Sequence, residues 1–300
     1  MSRYIAGVDI GGTSVKFGVL DEDGTLLDSM QVPSVVGDPE AMVEVIARLV
    51  EQASYPVSMV GVGAPGAVLM PENLVTSGNL KWRSVPLRDM LTQRLHMPVW
   101  VDNDAQTQLA AEWWSGACRG LGSVLYLAFG TGVGGALLMN GKPWRGHRNT
   151  AGELGHIITH AGGALCGCGA KGCYEAYASA PALVRMGGGK KSAKEIVDAA
   201  RAGDEEMMKV FTEYLHEVAL GVAGYYMVFR PEAIVLGGGV SAAGEIFLDG
   251  VRRALKEIQP RFDESGCRIC LAMYRNEAGM RGAAALAKIN LQGDGDLSVD

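Results

Sequence analysis

The chain lacks any apolar run approaching the roughly 20 residues that a membrane-spanning helix needs; stretches such as SVLYLAFG are far too short. It lacks a Lys/Arg block longer than a pair, and its formal net charge is −6, so a nucleic-acid surface is not expected. MSRYIAGVDI lacks the organisation of a secretory signal, since a strand-like run starts almost at once, and a cytoplasmic protein is the expectation. Short repeat periods and low-complexity segments are also missing. Six cysteines in 300 residues, without an export signal, do not make a disulfide framework. These absences leave small metabolites or other proteins as partners.

What is present is the composition of a packed chain, 48% hydrophobic and 20% charged, long enough for two ordinary domains or one large one. YIAGVDI, GGTS and VKFGVLDEDGTLL read as strand, glycine turn, strand and turn into a third strand. PEAMVEVIARLVEQA has apolar residues at helical spacing behind Pro39. VSMVGVGAPG is a strand entering a Gly-Pro loop, MPVWVDND a strand ending in two acids and an Asn, and QTQLAAEWWSGAC a helix. At residue 123 the pattern restarts: SVLYLAF, GTGVGG and ALLMNGKPW give strand, glycine turn and strand. EEMMKVFTEYLHEVALGVAGYYMVF is a long helix, PEAIVLGGG a strand into a glycine turn, and EAGMRGAAALAKI a final helix. The restart suggests an internal duplication. GGGKKSA (187–193) is the nearest thing to a link, and LQGDGDLSVD is a polar, acidic tail expected to fray.

Glycine turns after strands bring backbone N–H groups close to a phosphate, or are merely tight turns. A dinucleotide fingerprint needs G-x-G-x-x-G opening a helix, but both GGTSVKFGVL and GTGVGGALLM continue as strands. A P-loop needs G-x-x-x-x-G-K-[ST], which GGGKKS lacks. What remains is two hairpin turns with matching Gly-Thr chemistry (Thr13, Thr131), plus the turn after IVLGGG. Together they point to a polyphosphate more than any one does alone.

AGELGHIITHAGGALCGCGAKGCYEAYAS (151–179) gathers two acids, two histidines, three cysteines and seven glycines. His156, Cys166, Cys168 and Cys173 offer one nitrogen and three sulfurs, a set that suits tetrahedral Zn²⁺ with no position left for water, hence a structural ion. On composition alone His160 could replace His156. A redox site is disfavoured because no C-x-x-C opens a helix here. Cys267 and Cys270 do form C-x-x-C, but CRICLAM reads as a strand, where residues three apart point to opposite faces. Fixing the metal ligands would also fix Glu153 and Glu175, placing two carboxylates around a ligand. Asp102, Asn103 and Asp104 close a strand, where open α/β sheets place ligands; the competing reading of D-x-D is an N-cap for the next helix.

These motifs, in this order from residue 5 to 240, resemble the ROK family of sugar kinases within the actin-like ATPase superfamily. VDIGGTSVKFGVL and FGTGVGG resemble its two phosphate motifs, VDNDA its catalytic segment, AGELGH and CGCGAKGCYE its signature runs, and VLGGGV its adenosine motif. RGAAALA closes the chain as the family does. The resemblance implies an α/β fold of two actin-like, ribonuclease H-like domains flanking a catalytic cleft, with a structural zinc loop. The expected bounds are 1–118 with 283–292 for a small N-terminal domain, 119–282 for a larger C-terminal domain with zinc loop 156–173, and 293–300 for a tail.

It also implies an ATP-dependent hexose kinase acting at the 6-hydroxyl of an aldohexose, glucose first, with Mg²⁺ and a structural Zn²⁺. Asp104 matches the general base and Asn103 a sugar ligand. Asn79 and Gly66 resemble positions near the sugar. Glu153, His156 and Glu175 join them, and the resemblance selects His156 over His160 as the metal ligand. The nucleotide side comprises Gly11, Gly12, Thr13, Gly130, Thr131, Gly132, Gly237, Gly238 and Gly239; Asp9, ahead of the first glycine turn, is placed to hold Mg²⁺ through water, and Lys16, one strand further on, either faces the phosphates or is a solvated strand lysine. Fructose, mannose, allose, N-acetylglucosamine and N-acetylmannosamine stay open as substrates, and a homodimer is implied. A sugar-sensing ROK regulator is not expected, since the first phosphate strand begins near residue 4 and Asp104 is retained. An actin-like ATPase used for assembly gives no reason for a metal knot bearing two glutamates.

Overall fold

The structure, a computed structural model, describes residues 4–291. The tail expected at 293–300 lies outside the described residues. The first elements are β1 (Tyr4–Ile10), β2 (Ser14–Leu20), β3 (Leu26–Pro33), α1 (Pro39–Glu51), β4 (Val57–Ala64) and β5 (Ala67–Leu69). β6 (Leu74–Ser77), β7 (Trp82–Val85), α2 (Leu87–Leu95), β8 (Val99–Asn103) and α3 (Asp104–Trp114) follow. After β9 (Val124–Phe129), β10 (Val133–Met139) and β11 (Lys142–Pro143) come the short helices α4 (Glu175–Ala178), α5 (Ala180–Met186) and α6 (Ala193–Arg201). The chain ends with α7 (Glu205–Phe229), β12 (Ala233–Gly237), α8 (Glu245–Ile258), β13 (Arg268–Leu271) and α9 (Ala278–Leu291). No helix among the described residues is long and apolar enough to cross a membrane.

The chain divides into two compact units, one of Met1–Gly122, Leu138–Ala151 and Asn276–Asp300, the other of Ser123–Leu137 and Gly152–Arg275. Each unit has its own hydrophobic core. One five-stranded sheet has the order β3-β2-β1-β4-β8, the other β11-β10-β9-β12-β13. Counted from its own first strand, each sheet therefore runs third, second, first, fourth, fifth, which is the duplication suggested by the restart at residue 123. β1 and β2 are antiparallel, whereas β1, β4 and β8 run parallel, as do β9, β12 and β13. These mixed α/β sheets agree with the expected fold class. β1 and β12 are apolar runs buried almost throughout, as parallel strands covered on both faces should be. A small third sheet, β5-β6-β7, is also present.

Helix starts follow local chemistry. The Asp38 side chain accepts from the Ala41 N–H ahead of Pro39, and Asp204 does the same for Met207 at the head of α7. GGGKKSA is less of a link than its composition suggests. Ser192 and Glu195 form a reciprocal capping box that opens α6.

α9 lies backbone to backbone against the first sheet. A Cβ on Gly7 (β1) would fall 1.8 Å from the Met280 carbonyl oxygen, one on Gly61 (β4) 1.8 Å from that of Ala283, and one on Gly282 (α9) 1.5 Å from that of Thr107 in α3. None of these carbonyls can retreat without moving a helix. Gly282→Ala is therefore expected to cost about 3 kcal/mol or more, read as a fall in the urea midpoint by circular dichroism. Gly224→Ala, in α7 with nothing within 4 Å of its added methyl, is expected to gain up to about 1 kcal/mol from helix propensity.

Candidate active site and metal centre

In the first unit the chemistry collects at the carboxyl ends of parallel strands. The register places Asp9 beside Gly63 and Gly63 beside Asp102 on β1, β4 and β8. With strands ~4.8 Å apart, the glycine turn after β1 and the Asn103–Asp104 turn after β8 leave the same edge of the sheet. In the first hairpin the Gly11 N–H donates to the Ser14 carbonyl (2.9 Å), and the Ser34 hydroxyl donates to Gly11 O. Asn79, exposed on the loop after β6, lies with its Cβ 4.0 Å from where a Gly12 side chain would begin. Asp9 is half-buried, and burial raises its carboxyl above the usual range while Lys16 beside it opposes the shift. Lys16 is itself anchored, donating from Nζ to the Asn276 carbonyl at 3.1 Å. A carboxylate short of solvation at a phosphate-type turn suits a hydrated divalent cation.

At the end of β8 the helix cap is the Asn between the two acids, not either Asp. Asn103 Oδ1 accepts from the N–H groups of Ala105 (2.8 Å) and Gln106 (3.4 Å), and its Nδ2 donates to Gly66 O at 2.7 Å. The expected sugar ligand is thus engaged within the fold at both ends of its amide. Asp104 is the first residue of α3, partly exposed, its Oδ1 accepting from the Ala105 N–H at 2.9 Å. Gly66 holds φ 98°, and a Cβ there would lie 2.4 Å from Thr76 O, so only glycine brings that loop against Asn103. Asp102 is fully buried beneath the exposed turn, its Oδ1 accepting from the Asn103 N–H at 2.9 Å; Arg145 and Asn149 hold it from a loop that the sequence did not single out.

In the second unit the matching edge carries Gly130–Gly132 after β9 and Gly237–Gly239 after β12. Gly130, Thr131 and Gly239 line one cavity of about 670 Å³ together with Ala180, Val197 and Val240, and with Lys194, Asp198 and Arg201 of α6. Gly237 and Gly238 do not line it. Their missing side chains admit the Tyr126 ring and the Phe129 backbone, and Gly238 holds φ 85°. The charged wall from α6 was not anticipated, although the S-x-x-E capping box at Ser192 marks the helix that carries it. There Asp198 pairs with Lys194 at 2.5 Å and with Arg201 at 3.3 Å, and Arg201 Nη2 donates to Ala243 O at 2.7 Å.

The segment after Gly152 is knotted by turns. The Cys166 N–H donates to Ala170 O and the Gly169 N–H to Cys166 O, while Gly172, at φ 84°, sits where any Cβ would meet His160 O at 1.7 Å. The outcome is a cluster of His156, Cys166, Cys168 and Cys173 whose ligand atoms all lie within 4.8 Å of one another. Cys166 Sγ is 3.7 Å from His156 Nδ1, and Cys168 Sγ is 3.6 Å from Cys173 Sγ. A tetrahedron with ~2.3 Å Zn–S bonds has edges of about 3.8 Å, so the donor set fits zinc in spacing as well as in chemistry. Burial pushes the Cys173 thiol up to about 12, the state of a sulfur that needs a cation to be held as thiolate. His160 is placed elsewhere, stacked on Tyr177 with ring centroids 3.9 Å apart and its Nε2 3.5 Å from Glu217.

The two glutamates differ. Glu153 is exposed, with Oε2 3.9 Å from His156 Nε2, so the two ring nitrogens of His156 face the cysteine cluster and Glu153 respectively. Glu175 is held by the protein: Oε2 accepts from the Val133 N–H at 2.9 Å, and Cys166 Sγ lies 3.6 Å from Oε1. A Cβ on Gly132 would stand 2.3 Å from Glu175 Oε2. The second glycine turn and the cysteine cluster therefore share one carboxylate, a link that the sequence reading missed.

A sequence model of the ROK family matches residues 5–290. The chain is 35% identical to a glucokinase of Streptomyces coelicolor, across 94% of its own length and 96% of that protein's. It is 30% identical to an N-acetyl-D-glucosamine kinase of Vibrio vulnificus, across 93% and 98%. Among solved structures, a ROK family glucokinase from Streptomyces griseus in complex with glucose and AMPPNP is similar at a TM-score of 0.83 and 34% identity, covering 95% of this chain and 99% of that one. The chain belongs to the ROK family.

Proposed function

We propose that this ROK-family sugar kinase transfers the γ-phosphoryl group of ATP, bound with Mg²⁺, to the 6-hydroxyl of glucose. The observation that carries the reading is the grouping of functional turns at the carboxyl edges of both parallel strand sets. Asp104 stands at one such edge and the Gly130–Thr131 turn, beside the 670 Å³ cavity, at the other. Phosphoryl transfer asks for positioning, neutralisation of phosphoryl charge and a base for the alcohol proton.

In this reading Asp104 accepts the proton of the 6-hydroxyl, and Asn103 and Asn79 receive other hydroxyls. Glu153, His156 Nε2 and the remaining lone pairs of Glu175 complete the sugar contacts. The turns at Gly11–Thr13 and Gly130–Gly132 present N–H groups and hydroxyls to phosphates, with Asp9 toward the hydrated cation and Lys16 beside it. The cavity walled by α6 takes the adenosine, with Gly239 among its lining residues. His156, Cys166, Cys168 and Cys173 would hold zinc, which has a structural role, fixing the loop that carries Glu153 and Glu175. Retention of Asp104 and both glycine turns favours catalysis over sensing alone. The homodimer implied by the family belongs to the same reading.

The similarity to an N-acetylglucosamine kinase makes the acceptor the point to test. The experiment is ADP release from ATP and Mg²⁺ across glucose, mannose, fructose, allose, N-acetylglucosamine and N-acetylmannosamine, using zinc-loaded protein. Glucose is expected to give the highest kcat/KM. A higher value with an amino sugar would replace the acceptor while keeping the kinase; no release with any sugar would overturn the reading.

A further inference from the structure

Asp102 has no exposed surface. A carboxylate in that position is retained only when its oxygens are fully partnered. Oδ2 takes the Arg145 guanidinium and the Trp100 indole N–H (3.3 Å), and Oδ1 takes the N–H of Asn103 (2.9 Å) and Nδ2 of Asn149 (3.2 Å). Arg145 Nη1 also donates to Asn149 Oδ1 at 3.0 Å, and its guanidinium lies 5.7 Å from the Trp100 ring centroid. Asn149 donates in turn to Val68 O at 2.9 Å, from a left-handed backbone at φ 63°. One residue before Arg145, the Trp144 carbonyl accepts from Gln106 Nε2 at 3.3 Å. The loop 144–149 is thus tied to the chain at residue 102 and again at residue 106, on either side of Asp104.

A buried ion pair of this kind contributes little net stability compared with apolar packing of the same volume, so stability alone is a poor reason for its presence. Its geometry gives a better one. Asp102 Oδ1 fixes the peptide N–H of Asn103, which sets the direction in which the chain leaves β8 and enters α3. We propose that Arg145, acting through Asp102 and supported by Asn149, is a positioning residue that aims the Asp104 carboxylate. The inference rests on the reading of Asp104 as the base.

The test uses the zinc-loaded full chain with Arg145→Leu, Arg145→Lys and Asn149→Gly. The last keeps the left-handed backbone and deletes the side-chain bonds. Arg145→Leu is expected to lower kcat on the order of 10²-fold, the scale of a ~1 Å misplacement of a catalytic group, with KM for ATP changed less than about threefold. Arg145→Lys restores the charge without the planar fork and is expected to recover about tenfold of that loss. Amide exchange across residues 99–107 is expected to accelerate in Arg145→Leu and Asn149→Gly.

An unchanged kcat in folded Arg145→Leu would overturn the proposal. So would a loss shared equally by kcat and KM for ATP and not relieved by lysine, because that is general destabilisation. If the parent protein phosphorylates no sugar, the kinase reading fails and the exchange data stand alone. Acceleration would then keep Arg145 as the anchor of the turn without a catalytic base, and unchanged exchange would remove the anchor as well.

Discussion

Asp104→Ala is expected to lower kcat for hexose phosphorylation by ~10²–10⁴-fold, the usual contribution of a positioned general base, while the protein remains folded. The second half of that statement follows from the cap. Asn103 Oδ1 accepts from the N–H groups of both Ala105 and Gln106, so removing Asp104 leaves the cap in place and forfeits its own bond from the Ala105 N–H together with its favourable charge at the helix start, about 0.3–1 kcal/mol for the charge. Asn103→Ala is the complementary variant, losing the cap and the tie to Gly66 O together, at a typical cost of ~1 kcal/mol for the cap alone. Thermal melts and steady-state rates on both variants separate the roles. A kcat for Asp104→Ala within about threefold of the parent, far below the usual contribution of a base, would remove Asp104 from the reaction. The same loss in Asn103→Ala with an unchanged melt would move the catalytic weight to Asn103.

Removal of the metal is expected to have the next largest effect, and to reach beyond the loop that binds it. Stripping zinc with a strong chelator, or replacing Cys173 with Ser, is expected to lower the melting midpoint on the order of 10 °C, given the folding free energy that structural zinc supplies. Few apolar contacts hold the segment from His156 to Cys173 by themselves; Ile158 and Leu165 are exposed, and its turns are short backbone pairs around glycines. Because Glu175 joins the cysteine cluster to the Val133 N–H, loss of metal is also expected to weaken ATP binding by about tenfold or more, the loss of one charge-assisted hydrogen bond and the order it imposes. Glu175→Ala isolates the link: zinc content by mass spectrometry should stay at one per chain while ATP affinity falls. Full ATP affinity in the zinc-free protein would show that the glycine turn holds its shape unaided.

Much of this was legible in the chain. The two strand-turn-strand restarts, the long helix of α7 and the terminal helix α9 announced themselves through apolar runs, glycine and 3.6-residue spacing, signals that are local. The choice of His156 over His160 needed the family resemblance, because composition and spacing allow both, and only the turn at Gly172 sends His160 toward Tyr177. The strands β5 to β7 were missed because three or four residues are too few for alternation to register. α6 was missed because its capping box sits behind a run of glycines and lysines that reads as a link. The Asp102–Arg145–Asn149 cluster joins residues more than forty positions apart through a loop with left-handed residues. No periodicity encodes it; only the folded path of residues 144–149 brings the guanidinium to the carboxylate.

The backbone seat of α9 on Gly7 and Gly61 has a consequence for synthesis at the ribosome. β1 and β4 emerge early, but the helix that covers them is made only after the whole of Ser123–Arg275, and the tie between Lys16 and Asn276 spans 260 positions. The unit begun first is therefore the one completed last, with a high contact order that slows its closure, whereas every segment of the other unit has been made once Arg275 is reached. Until α9 arrives, the glycine-lined faces of β1 and β4 are the surface that a nascent-chain chaperone would have to cover.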